Sequence, residues 1–330
     1  MKIAKLNIGD FESRRAISAI DKYVSRAAEQ EGCNICLVII PNQLKSQYKK
    51  IKEACLVNNS IICQIATEGT LKKKNFRSIA TKILLQMIAK RGNTLWVPQS
   101  IKKMEKTMLM AFDSSKCGKK NVLSGVATVN STFSSICSRI EEFTGTTDKL
   151  QGMFSLMMKL IDAYVSRNKQ PPEEVIAFAN SCSTDQIKLY QEFFLLPASE
   201  KLAEIYGLNP PKVTFVLANT KTSERFFQIQ GSNVRNVPAG TIVSENIVSK
   251  NYDFFMISQF ANRGSTVPNH YKVIYSNSKI EEGVLQELIY SQCFNYVNWT
   301  GSIKVPGILQ YAKKCARFNT EVLEVKKLSE

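Results

Sequence analysis

Thr107-Met108-Leu109-Met110-Ala111-Phe112-Asp113 is an apolar run of strand length that stops at a carboxylate. A short continuous run of this kind reads as a buried strand. A second apolar run over 122–129 pairs with it as a hairpin across the turn signal Gly118-Lys119-Lys120. Downstream, helical spacing over 148–167 and 185–206 alternates with the strand runs Val175-Ile176-Ala177-Phe178 and Val213-Thr214-Phe215-Val216-Leu217. Further strands are expected over 254–258 and 271–275, and helices near 280–296 and 306–318. Strands that end in polar residues, with helices between them, make an α/β domain whose ligand edge lies at the strand C-termini.

Working back toward the N-terminus, residues 97–106 form a basic hinge containing Pro98. Before it stands a smaller unit. Ile35-Cys36-Leu37-Val38-Ile39-Ile40 is a buried-strand run stopped by Pro41, followed by a helix with a basic face over about 43–55. Ile61-Ile62-Cys63-Gln64-Ile65 is a second strand, and Lys72-Lys73-Lys74 leads into a long helix over 75–91 halted near Gly92. This β-α-β-α order predicts a small parallel α/β domain. Phe11, Ala16, Ile17, Ile20, Tyr23 and Val24 recur at helical spacing and predict a helix over 10–31. The chain therefore divides into an N-terminal helix and linker over 1–32, a first domain over 33–103 and a second over 104–330. A length of 330 residues suits two domains, and 44% hydrophobic residues exclude a disordered chain.

Charge is unevenly placed. The formal net charge is +16, yet residues 1–106 hold 20 basic and 8 acidic side chains, an excess of 12. Such a concentration marks a local site for a polyanion, with nucleic acid ahead of a merely solvated surface. No uncharged apolar run reaches the 18 or so residues that a membrane span needs. No apolar segment follows the lysines of Met1-Lys2-Ile3-Ala4-Lys5, so no secretory signal is expected and the chain is assigned to cytoplasm or nucleus. Nine cysteines, an odd number without repeated spacing, argue against a disulfide framework. The lone Cys33-Asn34-Ile35-Cys36 motif has no second pair and no histidine at ligand spacing, and reads as structural thiols.

Several chemistries have no residues to carry them. His270 is the one histidine and sits in a strand run, so a Ser-His-Asp or Cys-His relay is not expected. Neither GxGxxG nor GxxxxGK[ST] occurs. What remains is basic and aromatic. Tyr48 stands four residues before Lys52, on one helical face, and Lys72, Lys73, Lys74, Arg77, Lys82, Lys90 and Arg91 follow. A ring and an ammonium on one face suit a terminal nucleotide, through stacking plus a phosphate contact. A solvated basic helix is the other reading of the same residues.

Longer stretches carry a resemblance. Ile79-Ala80-Thr81-Lys82-Ile83-Leu84-Leu85-Gln86-Met87, with Lys90 and Trp96, resembles the guide-anchoring helix of Piwi proteins. Tyr252-Asp253-Phe254-Phe255, Ser258-Gln259, Pro268-Asn269-His270-Tyr271, Asn298-Trp299-Thr300-Gly301, Lys304-Val305-Pro306 and Gln310-Tyr311-Ala312 follow the C-terminal pattern of the same family in order. The resemblance runs from about residue 33 to 318 and favours the Piwi branch over the Argonaute branch. It covers the MID–PIWI half. The N-terminal and PAZ regions of full-length members have no counterpart in these residues.

The resemblance implies a Rossmann-like MID domain followed by a ribonuclease-H-like PIWI domain. It implies a small single-stranded guide RNA as partner, a complementary target RNA, silencing proteins that act with them, and no membrane. The 5′-phosphate pocket it implies consists of Tyr48, Lys52, Gln86 and Lys90, joined by Lys304. One position departs: Ile62 stands where the family often has glutamine before the cysteine matching Cys63. Cutting members use an Asp-Glu-Asp-His tetrad that binds two divalent cations. Its positions fall on Asp113, Asp148, Asn180 and Lys313, so the pattern survives intact at one of four. The resulting expectation is a guide-RNA-binding protein without nuclease activity or bound metal, acting in RNA-mediated gene silencing. Magnesium would enter only with residual activity. The alternatives are a metal-dependent guide-directed endoribonuclease with a rearranged site, and a scaffold fragment that binds no RNA.

Overall fold

The structure is a computed structural model that describes residues 21–22, 24–26, 34–42, 47–98, 104–118, 120–248, 252–261 and 263–321. Most of the helix expected over 10–31, the start of the helix expected over 43–55, Cys33 and residues 99–103 of the hinge lie outside these residues. The chain forms two compact units, which change over between Leu95 and Trp96.

In the first unit, β1 (Ile35–Ile40) and β2 (Ile62–Thr67) pair in parallel, with Ile35 opposite Ile62 and Ile40 opposite Thr67. Between them, α1 (Tyr48–Lys52) continues as a π-helical stretch over Glu53–Asn58. After β2, the Thr67 hydroxyl accepts from the Thr70 amide and caps a single helical turn, Glu68–Leu71. Then α2 (Phe76–Lys90) follows. The core is small: Ile40, Ile51, Cys55, Ile61 and Cys63 are buried together with Val24. Its strands and helices run in the expected order.

The second unit is organised by one eight-stranded sheet. Its strands are β3 (Thr107–Cys117), β4 (Lys120–Thr128), β5 (Ile136–Glu142), β6 (Glu174–Asn180), β7 (Lys212–Asn219), β10 (Ile242–Val243), β11 (Asp253–Met256) and β12 (Asn269–Ser276); β8 (Phe227–Gln230) and β9 (Asn233–Asn236) form a separate hairpin. The sheet order is β10-β11-β12-β7-β6-β3-β4-β5. β3, β6 and β7 are parallel, and the outer pairs are antiparallel. β3 is apolar without alternation because both of its faces are covered. Met108, Met110 and Phe112 pack on one side, with α3 (Thr146–Asn168), α4 (Thr184–Tyr190) and α5 (Leu196–Tyr206). Leu109 and Ala111 pack on the other, with α6 (Glu282–Gln292) and α7 (Gly307–Glu321). That sandwich accounts for the run that opens the sequence reading.

Three details differ from the sequence expectations. β3 does not end at Asp113. Its parallel partner β6 stops pairing at Phe112–Ala179, but the antiparallel ladder with β4 continues to Cys117, so the strand runs four residues past the carboxylate. The helix expected over 185–206 is broken by a π-helical stretch, Gln191–Leu195. There Phe194 lies edge-on to both Phe112 and Phe215, at ring-centroid distances of 5.6 and 5.4 Å, and this contact outweighs regular helix spacing. β5 and the β8–β9 hairpin were not expected, because mixed and exposed residues give them no apolar run.

Candidate functional site

The polar end of the first unit is built on β2. Lys52 closes α1 and is buried, and its ammonium donates to the Cys63 carbonyl at 2.7 Å. Lys90, in the last turn of α2, donates to the same carbonyl at 3.0 Å and to the Gln64 side-chain oxygen at 2.6 Å. Gln64 in turn donates its Nε2 to the Gln86 Oε1 at 3.1 Å. The Lys52 ammonium also lies 5.8 Å from the centroid of the Tyr48 ring. Thus Tyr48, Lys52, Gln86 and Lys90 come together around two adjacent residues of β2. A cavity of about 490 Å³ is lined by Tyr48, Gln64, Gln86, Lys82 and isoleucines of β1, β2 and α2; Lys52 and Lys90 are not among its lining residues.

Gln64 is the residue that sequence reasoning missed. The glutamine was sought before Cys63, where Ile62 stands, yet Gln64, just after it, bonds to both Lys90 and Gln86. The signal was available: a single amide interrupts the otherwise apolar run around it. Behind this network Cys36 and Cys55 lie with sulfurs 4.0 Å apart. The Cys63 thiol is pulled down by a hydrogen bond from Cys55 and by the charges of Lys52 and Lys90, while Cys55 is pushed up as the donor.

Lys304 belongs to the second unit. Its ammonium donates to the Thr220 carbonyl at 2.6 Å, and burial, followed by the charge of Arg225, pulls its pKa down. Its own carbonyl accepts from Ser258 at 2.7 Å and from the Asn269 side chain, which fixes the segment.

The second unit has a cavity of about 210 Å³ at the end of the parallel strands, lined by Asp113 of β3, Asn180 at the tip of β6, and Lys149, Cys182, Gln186 and Tyr190. Asp113 accepts from the Ser114 amide at 2.7 Å and from the Asn180 side chain. Burial pushes its carboxyl pKa up, opposed by these bonds and by the charges of Lys313 and Lys149. α7 is tied next to this point through Ser124, whose hydroxyl donates to the Ala312 carbonyl at 2.7 Å and lies 3.3 Å from the Asp113 carbonyl. Lys313 follows Ala312 directly. The structure thus brings Asp113 and Asn180 together, while Lys313, exposed and not a lining residue, acts on Asp113 through its charge.

Asp148 is not among the residues lining this cavity. It stands in the first turn of α3, where its carboxylate accepts from the Thr144 amide at 2.6 Å and the Thr144 hydroxyl at 2.9 Å, closing the helix start. Lys149, one residue on, lines the cavity instead. Asp185 sits in the first turn of α4, whose N-cap Ser183 amide donates to Gln186, and is not a lining residue either. His270 Nε2 donates to the Asp253 carboxylate at 2.9 Å and its ring stacks on Phe255, a structural role within β11 and β12. Among the described residues no cluster of three metal-ligating side chains occurs.

Residues 35–324 match the Piwi domain. The chain belongs to the Piwi domain family. It is 29% identical to Protein piwi of Drosophila melanogaster over 293 residues, covering 86% of this chain and 34% of that protein. It is 28% identical to Piwi-like protein 1 of Gallus gallus, covering 86% of this chain and 33% of that one. The chain therefore spans about a third of the length of these Piwi relatives. The crystal structure of Drosophila Piwi superimposes with a TM-score of 0.82 at 26% identity, over 93% of this chain and 42% of that one. Kluyveromyces polysporus Argonaute, solved with a guide RNA, gives 0.75 at 20% identity over 87% of this chain and 35% of that one, a likeness of fold. The large mixed sheet is the ribonuclease-H-like sheet of the Piwi fold. Among the described residues, no helix of this Piwi chain is long and apolar enough to cross a membrane.

Proposed function

We propose that this chain holds the 5′ end of a small guide RNA in its first, MID-like unit and pairs a complementary target without cutting it. It acts in RNA-mediated gene silencing through the bound RNA and protein partners. The carrying observation is the convergence of Lys52 and Lys90 on one carbonyl, with Gln64, Gln86 and the Tyr48 ring beside them. Two ammoniums aimed at one point suit the doubly charged end of a 5′ phosphate, and the ring suits its base. The solved complex of the yeast Argonaute with a guide RNA supports the ligand class. Lys304 is a candidate RNA contact of the second unit in its own right.

The absence of cutting rests on the donor set around Asp113. Two dications need several carboxylates at close range. Here Asp113 accepts from an amide and the Asn180 side chain, Asp148 is spent on Thr144, and Lys149 and Lys313 bring positive charge. These residues do not fit a pair of divalent ions. The decisive experiment compares a short RNA bearing a 5′ phosphate with the same RNA bearing a 5′ hydroxyl, then adds a complementary target with magnesium or manganese. Preference for the phosphate and an intact target are expected. Equal affinity would overturn the pocket, and guided cutting abolished by Asp113→Ala would overturn the second half.

A further inference from the structure

Three thiols meet in the first unit. Cys36 of β1 stands directly opposite Cys63 of β2, and Cys55, in the π-helical stretch that continues α1, packs against both. The Cys36 and Cys55 sulfurs lie 4.0 Å apart, and Cys55 is also hydrogen-bonded to the Cys63 thiol. Cys55 and Cys63 are buried, whereas Cys36 is half-buried and is the thiol that a small solute reaches first. The guide pocket takes only the main-chain carbonyl of Cys63 and leaves all three sulfurs unused. The hydrogen bond with Cys55 pulls the Cys36 pKa down, aided by the charges of Lys52 and Lys90 and opposed by burial, so the outermost sulfur is also a ready nucleophile.

Cys55 is coupled to the pocket twice. Lys52 closes the helix that runs directly into the stretch holding Cys55, and Cys63, which Cys55 touches, carries the carbonyl that Lys52 and Lys90 share. A disulfide holds its sulfurs about 2.05 Å apart, so joining Cys36 to Cys55 closes the present gap by about 2 Å. Cys55 sits in a close-packed core with no exposed surface, and a shift of that size passes from its sulfur to its backbone.

We propose that Cys36 and Cys55 form a peroxide-responsive disulfide switch that draws the end of α1 toward β1 and loosens Lys52 from the Cys63 carbonyl. The Cys36 thiolate attacks one oxygen of hydrogen peroxide. The O–O bond breaks, the sulfur becomes a sulfenic acid, and the departing hydroxide takes up the proton of the original thiol as water. The Cys55 sulfur then attacks the sulfenic sulfur. The S–S bond forms as the S–O bond breaks, and the hydroxyl leaves with the Cys55 proton as a second water. Two thiols and one peroxide thus give one disulfide and two waters. The consequence for RNA, a weaker hold on the 5′ phosphate, rests on the guide pocket proposed above, whereas the thiol chemistry stands apart from it.

The test treats the reduced full chain with hydrogen peroxide, removes the excess with catalase and maps cysteine links by tandem mass spectrometry. A Cys36–Cys55 link, reversed by dithiothreitol, is expected. Amide hydrogen exchange over Tyr48–Lys52 should quicken severalfold in the linked chain, a readout that needs no RNA. Affinity for a 5′-phosphorylated RNA should fall about tenfold, the size of one charge-assisted contact, while a 5′-hydroxyl RNA is held as before. Cys36→Ser and Cys36→Ala, each with a native thermal melt, should abolish the link and both changes. Absence of any link, a link between a different pair of cysteines, unchanged exchange in the linked chain, an undiminished preference for the 5′ phosphate after linking, or a peroxide response that survives both variants would each overturn the switch. A link that forms and quickens exchange, in a chain that never distinguishes the two RNAs, would uphold the switch and overturn the guide pocket.

Discussion

Lys52 and Lys90 donate to the same acceptor, the carbonyl of Cys63, from two different helices. The two lysines differ in exposure. Lys52 is 5% exposed and its removal would leave a void where its buried stem packs, whereas Lys90 is exposed. The functional and structural parts of the pocket can therefore be separated by choosing the outer lysine.

Lys90→Ala should weaken a 5′-phosphorylated RNA about tenfold or more, the range of one charge-assisted contact. The same variant should leave the affinity for a 5′-hydroxyl RNA nearly unchanged. Fluorescence anisotropy with both RNAs reads the difference. Equal losses for the two would reduce Lys90 to general surface charge.

Salt should act on this complex in proportion to the phosphates held. The logarithm of the binding constant should fall linearly with log salt, with a slope of about −0.7 per phosphate on a single strand. A titration from low to moderate salt measures it. A flat response would mean that phosphate charge is not what holds the RNA and would overturn the phosphate track.

Asp113→Asn should raise the thermal midpoint of the second unit at pH 7. Burial lifts the folded carboxyl pKa above its unfolded value, so the folded state binds more protons between the two. The stability this provides is complete below the ordinary carboxylate pKa and is lost as pH rises through the lifted value. At pH 7 the ionised form carries a desolvation cost that the amide lacks. The advantage of the variant should shrink as pH falls toward the carboxylate range. A variant that melts lower than the parent at pH 7 would mean that the charges of Lys149 and Lys313 outweigh burial.

Gly125→Ala tests the packing of α3 on the sheet. A methyl group on Gly125 would stand 2.9 Å from Leu160 Cδ1 and 3.3 Å from Phe112 Cε1, both side chains in the buried core. Overpacking of this kind costs about 1–3 kcal/mol. At about 2–4 °C per kcal/mol for a unit of this size, the midpoint should drop by several degrees. An unchanged midpoint would show that helix and sheet can part at that point without strain.

The sequence made some of this legible and hid the rest, for physical reasons. β3, β6 and β7 were readable because a strand covered on both faces must be continuously apolar. Tyr48, Lys52, Gln86 and Lys90 were singled out through helical spacing and family pattern, and their side chains lie near one another around β2. Gln64 was overlooked because a residue next to a motif position was tested and its neighbour was not. Asp148 and Lys149 could not be told apart by spacing: adjacent residues at a helix start point about 100° apart, and only the Thr144 bonds decide which one turns away from the cavity. The π-helical turn at Gln191–Leu195 has no sequence signature of its own, since it follows from three rings meeting in the core.

The Ser124 bond to the Ala312 carbonyl joins residues 188 positions apart. Translation at about 5–20 residues per second separates their appearance by roughly 10–40 s. Through most of that interval Leu109 and Ala111 lie on a face whose covering helices, α6 and α7, are made only toward its end. Assembly of this half of the molecule is thus timed by synthesis of its own C-terminal helices. The interval is long enough for the uncovered strands to meet a chaperone, or another nascent chain, before Lys313 arrives beside Asp113.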